Sequence, residues 1–356
     1  MTETYHVRSP GRVNLVGGHT DYSGGYVMPV ATDLQTELTA EPTETVTVTS
    51  AALDDTATFD PADFEPAGDW SDYVRGCYAV LQDAGYDPGG FEGTIDGDLP
   101  IGAGLSSSAS LELAVLTFLA AAYDIDVSRK ELARLGQRVE NEYVGVDCGI
   151  LDQFAVALSK AGHALFVDTD TEAIDRVALP EELALIVFDT GVAHDLAQTP
   201  YGQRRETVRA ALEELGAATS KDVDLAALSS LSGERAERLG YVVRENNRVR
   251  QALGAIDRDD IERLGEILTE AHEDLAANFD ASTPELDWVV ETALDEGAHG
   301  ARLTGAGWGG SVVVVADAQR APSLAESLSS AYVEAFPDRD GRSWVIDPSD
   351  GVTVDS

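Results

Sequence analysis

Residues 100–110 read Pro100-Ile-Gly-Ala-Gly-Leu-Ser-Ser-Ser-Ala-Ser110. The glycines at 102 and 104 let backbone approach a ligand closely. Serines follow, and Ser106 to Tyr123 reads as a long, mostly buried helix. The first N–H groups of such a helix lack intrahelical partners and lie at the positive end of its dipole, which makes an anion site. Hydroxyls of Ser106, Ser107 and Ser108 can add hydrogen bonds or ligate Mg²⁺. Taken alone, a Gly/Ser-rich helix start is usually an ordinary loop with a serine cap. No Gly-Lys-Ser/Thr follows, so this is not a Walker A loop. Neither His-Arg-Asp nor Asp-Phe-Gly occurs, so the chain does not resemble a protein kinase.

Two further segments give this loop a context. Glu140-Asn-Glu-Tyr-Val-Gly-Val-Asp-Cys-Gly-Ile-Leu-Asp-Gln153 puts Glu140 near the end of a helix and Asp152 after a glycine-containing turn. Two carboxylates near a phosphate site suit metal binding and orientation of an attacking hydroxyl. On their own they read as a surface Glu and a helix-capping Asp. Gly300-Ala-Arg-Leu-Thr-Gly-Ala-Gly-Trp-Gly-Gly-Ser311 marks a tight loop with close backbone contact, followed by an apolar strand. Each glycine cluster is weak evidence by itself; together, in this order, they point to a phosphoryl-transfer site.

Composition sets the outer bounds. The chain has 356 residues, room for about two domains. A hydrophobic content of 44% supplies a full core. The formal net charge is −40, with lysine only at 130, 160 and 221. The acidic residues are scattered and read as a solvated surface, of the kind expected in a halophile with a salty cytoplasm. Such a surface disfavours nucleic acid or an anionic membrane as partner, and an anionic substrate would need a local cationic pocket. Cys77 and Cys148 form no disulfide framework or zinc pattern. No signal peptide and no apolar run of membrane length is visible; Leu111 to Ala122 is too short and carries Glu112. The expectation is a cytoplasmic enzyme, monomeric or a small homo-oligomer.

Periodicity predicts short strands alternating with amphipathic helices. Strand pieces are expected at Thr45 to Thr49, Thr94 to Asp96, Leu183 to Phe188 and Ser311 to Val315. Further helices are expected at Ser128 to Tyr143, Thr207 to Leu215, Leu239 to Leu253, Asp260 to Asn278 and Pro322 to Ala335. The segment Pro180-Glu-Glu is the expected domain junction.

The three segments join a fourth, Pro10-Gly-Arg-Val-Asn-Leu-Val-Gly-Gly-His-Thr-Asp-Tyr-Ser-Gly-Gly-Tyr-Val-Met-Pro-Val-Ala31. With these, the chain resembles the GHMP kinases, and within them the galactokinase branch, over nearly its whole length. Trp70 to Gly76, Tyr201-Gly-Gln-Arg-Arg205 and Asp347 to Gly351 share in the likeness. The resemblance implies an α+β fold of two domains, 1–180 and 181–356, with the active site in the cleft between them. It also implies that the C-terminal tail packs back onto the first domain. It implies direct, in-line transfer from ATP with Mg²⁺. Asp152 matches the catalytic aspartate and Arg12 the arginine that stabilises developing phosphoryl charge. Ser108 and Glu140 match metal ligands. Gly102, Gly104, Leu105, Ser106, Ser107, Ser108 and Ala109 match the triphosphate loop, and Trp70 lies in a nucleotide-side segment. His19, Asp21, Gly149 and Tyr201 match sugar-contacting positions.

One position departs from the pattern. Gly18 stands where galactokinases have a glutamate that accepts hydrogen bonds from the sugar's distal hydroxyls. Losing a charged acceptor forfeits about 1.5–3 kcal/mol, unless a neighbouring carboxylate substitutes. Glycine opens space and removes an anion, so a sugar with an anionic distal group would be admitted. This predicts ribose 1-phosphate, converted to ribose 1,5-bisphosphate, ahead of galactose, converted to galactose 1-phosphate. Arg8, His19, Arg204 and Arg205 are the candidate cations for the phosphate. Asp147, where the family has proline, is a second departure. An arabinose or amino-sugar kinase also fits the sequence. A non-catalytic sugar sensor on the same scaffold is disfavoured, because the phosphate loop is complete and Arg12 and Asp152 are both present.

Overall fold

A computed structural model describes residues 3–192 and 200–356. The chain opens with strands β1 (Tyr5–Val16), β2 (Tyr26–Thr43), β3 (Val46–Ser50) and β4 (Asp55–Phe59), helix α1 (Asp72–Asp83) and strand β5 (Gly90–Gly97). Helices α2 (Ser107–Ala122), α3 (Arg129–Arg138) and α4 (Leu151–Leu158) and strands β6 (His163–Asp168) and β7 (Ala173–Ala178) follow. Then come β8 (Leu183–Asp189), α5 (Tyr201–Leu215), α6 (Glu234–Ile256), α7 (Ile261–Asp274) and α8 (Pro284–Asp295). The chain closes with β9 (Gly300–Thr304), β10 (Ser311–Asp317), α9 (Ala321–Ala335), β11 (Arg342–Ile346) and β12 (Thr353–Asp355).

Two sheets result. In the first, β12-β1-β2-β5-β3-β4 run side by side, with β6 pairing the start of β2 and also β7. In the second, the order is β11-β8-β10-β9, all antiparallel. The terminal strand β12 pairs β1, so the tail returns to the first sheet. The strands carrying the N-terminal motif are long rather than short: β1 has 12 residues and β2 has 18. Along β2 the buried Leu34, Thr36, Leu38 and Ala40 alternate with Asp33, Gln35, Glu37 and Thr39, the period of a sheet with one covered face.

The cover is α2, which has no polar stripe and is buried along most of its length, as a helix surrounded on all sides must be. It packs with α1, α3 and α4 and the inner face of the first sheet in one core. A second core lies between the four-stranded sheet and α5, α6, α8 and α9. A third is shared: Val13, Leu15, Met28 and Val30 of the first sheet meet Leu185, Val187, Val313 and Val315 of the second and Val249, Ile267 and Leu268 of α6 and α7. This apolar layer fixes one sheet against the other, and so fixes the cleft between them.

The helices differ from expectation mainly at their ends. α3 stops at Arg138 and continues as a π-helical turn, Val139–Val144, and α7 likewise passes into Leu275–Phe279. α5 starts at Tyr201, one turn and more before Thr207. No helix among the described residues is long and apolar enough to cross a membrane.

Candidate active site

Arg12 and Asp152 are 140 residues apart and bonded twice. Arg12 Nε donates to Asp152 Oδ1 at 2.7 Å and Nη2 to Oδ2 at 2.7 Å. This is the bidentate guanidinium–carboxylate geometry, stronger and more directional than a lysine contact. The register of β1 against β2 shifts between Pro10 and Arg12. The Arg12 N–H is thereby turned to the Leu105 carbonyl at 3.1 Å, and Nη1 to the Gly104 carbonyl at 2.7 Å. A bulge thus aims a strand arginine at the Gly/Ser loop. Ser106 Oγ donates to Asp152 Oδ2 at 2.6 Å. A carboxylate has about four lone-pair sites; these three donors leave Asp152 room for a further one. Asp152 is the more open of the pair, 32% against 7% side-chain exposure.

The loop before α2 holds the cleft's anion-binding features. Gly102 and Gly104 have φ of 80° and 75°, and Ser106 is itself left-handed at 62°. Among the described residues no side chain caps α2, so its first N–H groups face the cleft without an intrahelical partner. Ser108 Oγ donates to Glu140 Oε1 at 2.7 Å. Glu140 sits on the π-helical turn, and burial raises its carboxyl above the ordinary value. A hydroxyl and a carboxylate form the hard oxygen pair that suits Mg²⁺ completed by water and phosphate oxygens.

The Gly-rich loop closes the other side. A Cβ on Gly305, at φ 83°, would lie 2.9 Å from the Gly104 carbonyl, so the two glycine loops touch. Ser311 Oγ donates to the Ala103 carbonyl at 2.6 Å. The Ala306 carbonyl lies 2.9 Å from His19 Nε2. Only a protonated Nε2 can bond a carbonyl, so Nδ1 is the acceptor, with the Tyr22 hydroxyl 3.3 Å away. Burial lowers His19 to about 4, which keeps the ring neutral. Its ring rests against Phe279, centroids 4.5 Å apart, and Tyr201, 5.4 Å apart.

Asp21 completes the acceptor end. Its carboxylate lies against Gly149: a Cβ there would fall 1.9 Å from Asp21 Oδ2. Burial, then the charge of Asp152, raises Asp21 to about 6. Around one cleft, therefore, stand Arg12, Gly18, His19, Asp21, Gly102, Gly104, Ser106, Ser107, Ser108, Glu140, Gly149, Asp152 and Tyr201.

Three expected residues are not brought there. Trp70 donates Nε1–H to Asp55 at 2.9 Å and packs against the first core. Leu105 lies in the shared core with its carbonyl bonded to the Arg12 N–H, and Ala109, on α2, is buried in the first core. Conversely, Asn14, Val146, Cys148, Leu151 and Ala306 line the cleft without having been singled out. All five lie within the quoted motifs, between the residues whose chemistry stood out.

Comparison with known proteins agrees with this geometry. The model of the GHMP kinases N terminal domain matches residues 72–160, that of the GHMP kinases C terminal residues 252–334, and the galactokinase galactose-binding signature residues 2–42. A galactokinase of Thermococcus kodakarensis is 46% identical over 98% of this chain and 99% of its own. The chain belongs to the galactokinase-like GHMP kinases. A galactokinase of Pyrococcus furiosus is 43% identical over the same shares. The structure of Lactococcus lactis galactokinase complexed with galactose superposes with a TM-score of 0.93 at 31% identity, covering 99% of this chain and 95% of that one. A mevalonate kinase at 19% identity and TM-score 0.69 shares the fold. The chain is thus a sugar kinase of galactokinase type with ATP as co-substrate.

Proposed function

We propose that the protein transfers the γ-phosphoryl group of Mg-ATP to galactose, giving galactose 1-phosphate. The observation that carries this is the Arg12–Asp152 pair set between an uncapped helix N-terminus and a pocket of His19, Asp21 and Tyr201. Relatives named as galactokinases, matching end to end, supply the sugar. Asp152 receives the proton of the acceptor hydroxyl and aligns its oxygen for in-line attack. Arg12 holds that carboxylate and stabilises charge on the transferring group. The N–H groups of α2 and the Ser107 hydroxyl bind the phosphates, while the Ser106 hydroxyl holds Asp152. Ser108 and Glu140 would hold Mg²⁺, which would supply positive charge against the phosphates. Asp21 accepts from a sugar hydroxyl, and the neutral His19 ring, its Nδ1 facing the Tyr22 hydroxyl, lines the pocket beside it.

The expectation of ribose 1-phosphate as leading acceptor gives way here. The relatives do not support it. Gly18 also opens no cavity along its missing side chain: a Cβ there would meet Arg302 Nη2 at 2.8 Å. The cations proposed for the phosphate are engaged elsewhere. Arg8 pairs with Asp355, Arg204 with the Phe279 carbonyl and Asp280, and Arg205 with Asp147, while His19 is neutral. Asp147, the second departure, thus ties the loop before α4 to α5.

One observation favours an anionic acceptor as a second reading. Arg302, which the sequence did not flag, fills the place beside Gly18. It belongs to a cluster of three guanidinium groups, Arg244, Arg248 and Arg302, against two carboxylates, Glu245 and Asp274. One net positive charge therefore lies under the position where galactokinases carry an anion.

Sugar-dependent ADP release separates the two, measured in molar KCl with galactose, ribose, arabinose, N-acetylgalactosamine and α-ribose 1-phosphate. Turnover with galactose is expected. Turnover with ribose 1-phosphate alone would overturn the main reading in favour of the second.

A further inference from the structure

Helix α2 carries a carboxyl group that the reaction does not use. Glu112 lies one turn beyond Ser108 and is fully buried. Gln153 follows Asp152 on α4 and is fully buried as well. Both oxygens of Glu112, and both the nitrogen and the oxygen of Gln153, lack a hydrogen-bond partner among the described residues. The two side chains converge beside Gly136 of α3. A Cβ there would lie 3.2 Å from Gln153 Cγ and 3.5 Å from Glu112 Oε2.

Donor and acceptor accounting decides what this pair is. An ionised carboxylate offers acceptors only, and would leave the Gln153 carbonyl facing negative oxygen. A buried charge without a cation is costly, and two further carboxylates, Glu140 and Asp152, stand nearby. A carboxylic acid offers one donor and one acceptor, as the amide does. A reciprocal pair between the two would give each of the four atoms the partner it lacks. We propose that Glu112 is a neutral acid paired reciprocally with Gln153, and that this pair is the positioning device that holds α4, and with it Asp152, against the phosphate-loop helix. Burial first, then the charges of Glu140 and Asp152, push the Glu112 carboxyl well above the carboxylate range. The nearby Cys77 thiol is engaged by backbone, the Tyr73 carbonyl at 3.2 Å and the Glu112 carbonyl at 3.7 Å. The small Gly136 is what lets the pair cross between α2 and α4: a methyl there would also lie 2.8 Å from Leu113 Cδ2.

The functional part of this inference rests on Asp152 as the residue that orients the acceptor. Two measurements test it together. The infrared difference spectrum between the wild-type enzyme and Glu112→Gln, at neutral pH, reads protonation directly. The protonated-carboxyl stretch is expected in the wild type and absent in the variant; no such band would overturn the proposal. Steady-state kinetics read positioning. Glu112→Gln, an amide that still pairs reciprocally, should keep kcat near the wild-type value. Glu112→Leu, which cannot pair, should lose kcat roughly tenfold to a hundredfold by displacing Asp152, with the KM for ATP and for sugar unchanged. Should Glu112→Leu fail to fold, Gln153→Leu carries the same expectation. Undiminished kcat in the leucine variants, or equal losses in Glu112→Gln and Glu112→Leu, would overturn it. If Asp152→Asn kept its turnover while the infrared band was present, the fault would lie with the role given to Asp152 and not with the pair.

Discussion

Replacing Gly149 by alanine tests the acceptor end of the cleft with a single methyl group. The new Cβ would lie 1.9 Å from Asp21 Oδ2 and 2.3 Å from its Cγ. Ordinary contact begins at about 3.4 Å, so the Asp21 carboxylate has to retreat by about 1.5 Å in a closely packed site. It has little freedom to do so, because it is buried and accepts hydrogen bonds from the backbone of Tyr22 and Leu151. Overpacking of this kind costs about 1–3 kcal/mol. A sugar hydroxyl that loses a charged acceptor forfeits about 1.5–3 kcal/mol. At about 1.4 kcal/mol per factor of ten, kcat/KM for the sugar should fall roughly tenfold to a hundredfold. The KM for ATP should not move, since the phosphate loop lies across the cleft. The assay is ADP release with sugar varied at saturating ATP and then the reverse, with thermal unfolding as a folding control. Wild-type kcat/KM for the sugar, or an equal rise in both KM values, would refute the contact between Asp21 and the acceptor.

Other predictions concern pH, metal and salt. Asp21 is raised to about 6, so it is protonated below that pH and loses its acceptor character; kcat/KM for the sugar should fall as pH drops through about 6, and Asp21→Asn should remove that limb of the profile. Ser108→Ala removes the hydroxyl beside Glu140 and should raise the Mg²⁺ concentration needed for half-maximal rate, with the sugar KM unchanged; an unchanged metal requirement would detach Ser108 from the metal. A net charge of −40 implies self-repulsion that salt screens, so activity and melting temperature should rise together in a KCl titration, and full activity in dilute buffer would contradict this.

Much of the site was legible because its chemistry is carried by local sequence. Glycines at positive φ before an apolar helix marked the phosphate loop, and the carboxylates at 140 and 152 came from one segment. The family resemblance matched Arg12 to Asp152 across 140 residues, a pairing that no periodicity carries because a strand bulge makes it. What sequence could not supply were effects of packing. Gly18 looked like an opening until Arg302, 284 positions away, proved to fill it. Trp70 lay in a motif of the nucleotide side, yet its indole is held by Asp55 outside the cleft. Periodicity did not mark β1 and β2, and β1 carries Pro10 and Gly11 within it. A bulged pair tolerates these residues, and its bulge is what turns Arg12 toward the phosphates.

The central claim is that Asp152 orients the acceptor for direct transfer from ATP. The most direct measurement is sugar-dependent ADP release by Asp152→Asn, beside a nucleotide titration of the same protein. The account predicts a drop in kcat of at least roughly a hundredfold with ATP binding retained, because the asparagine amide cannot take the hydroxyl proton. Turnover close to wild type would contradict it and move the role to another residue of the cleft.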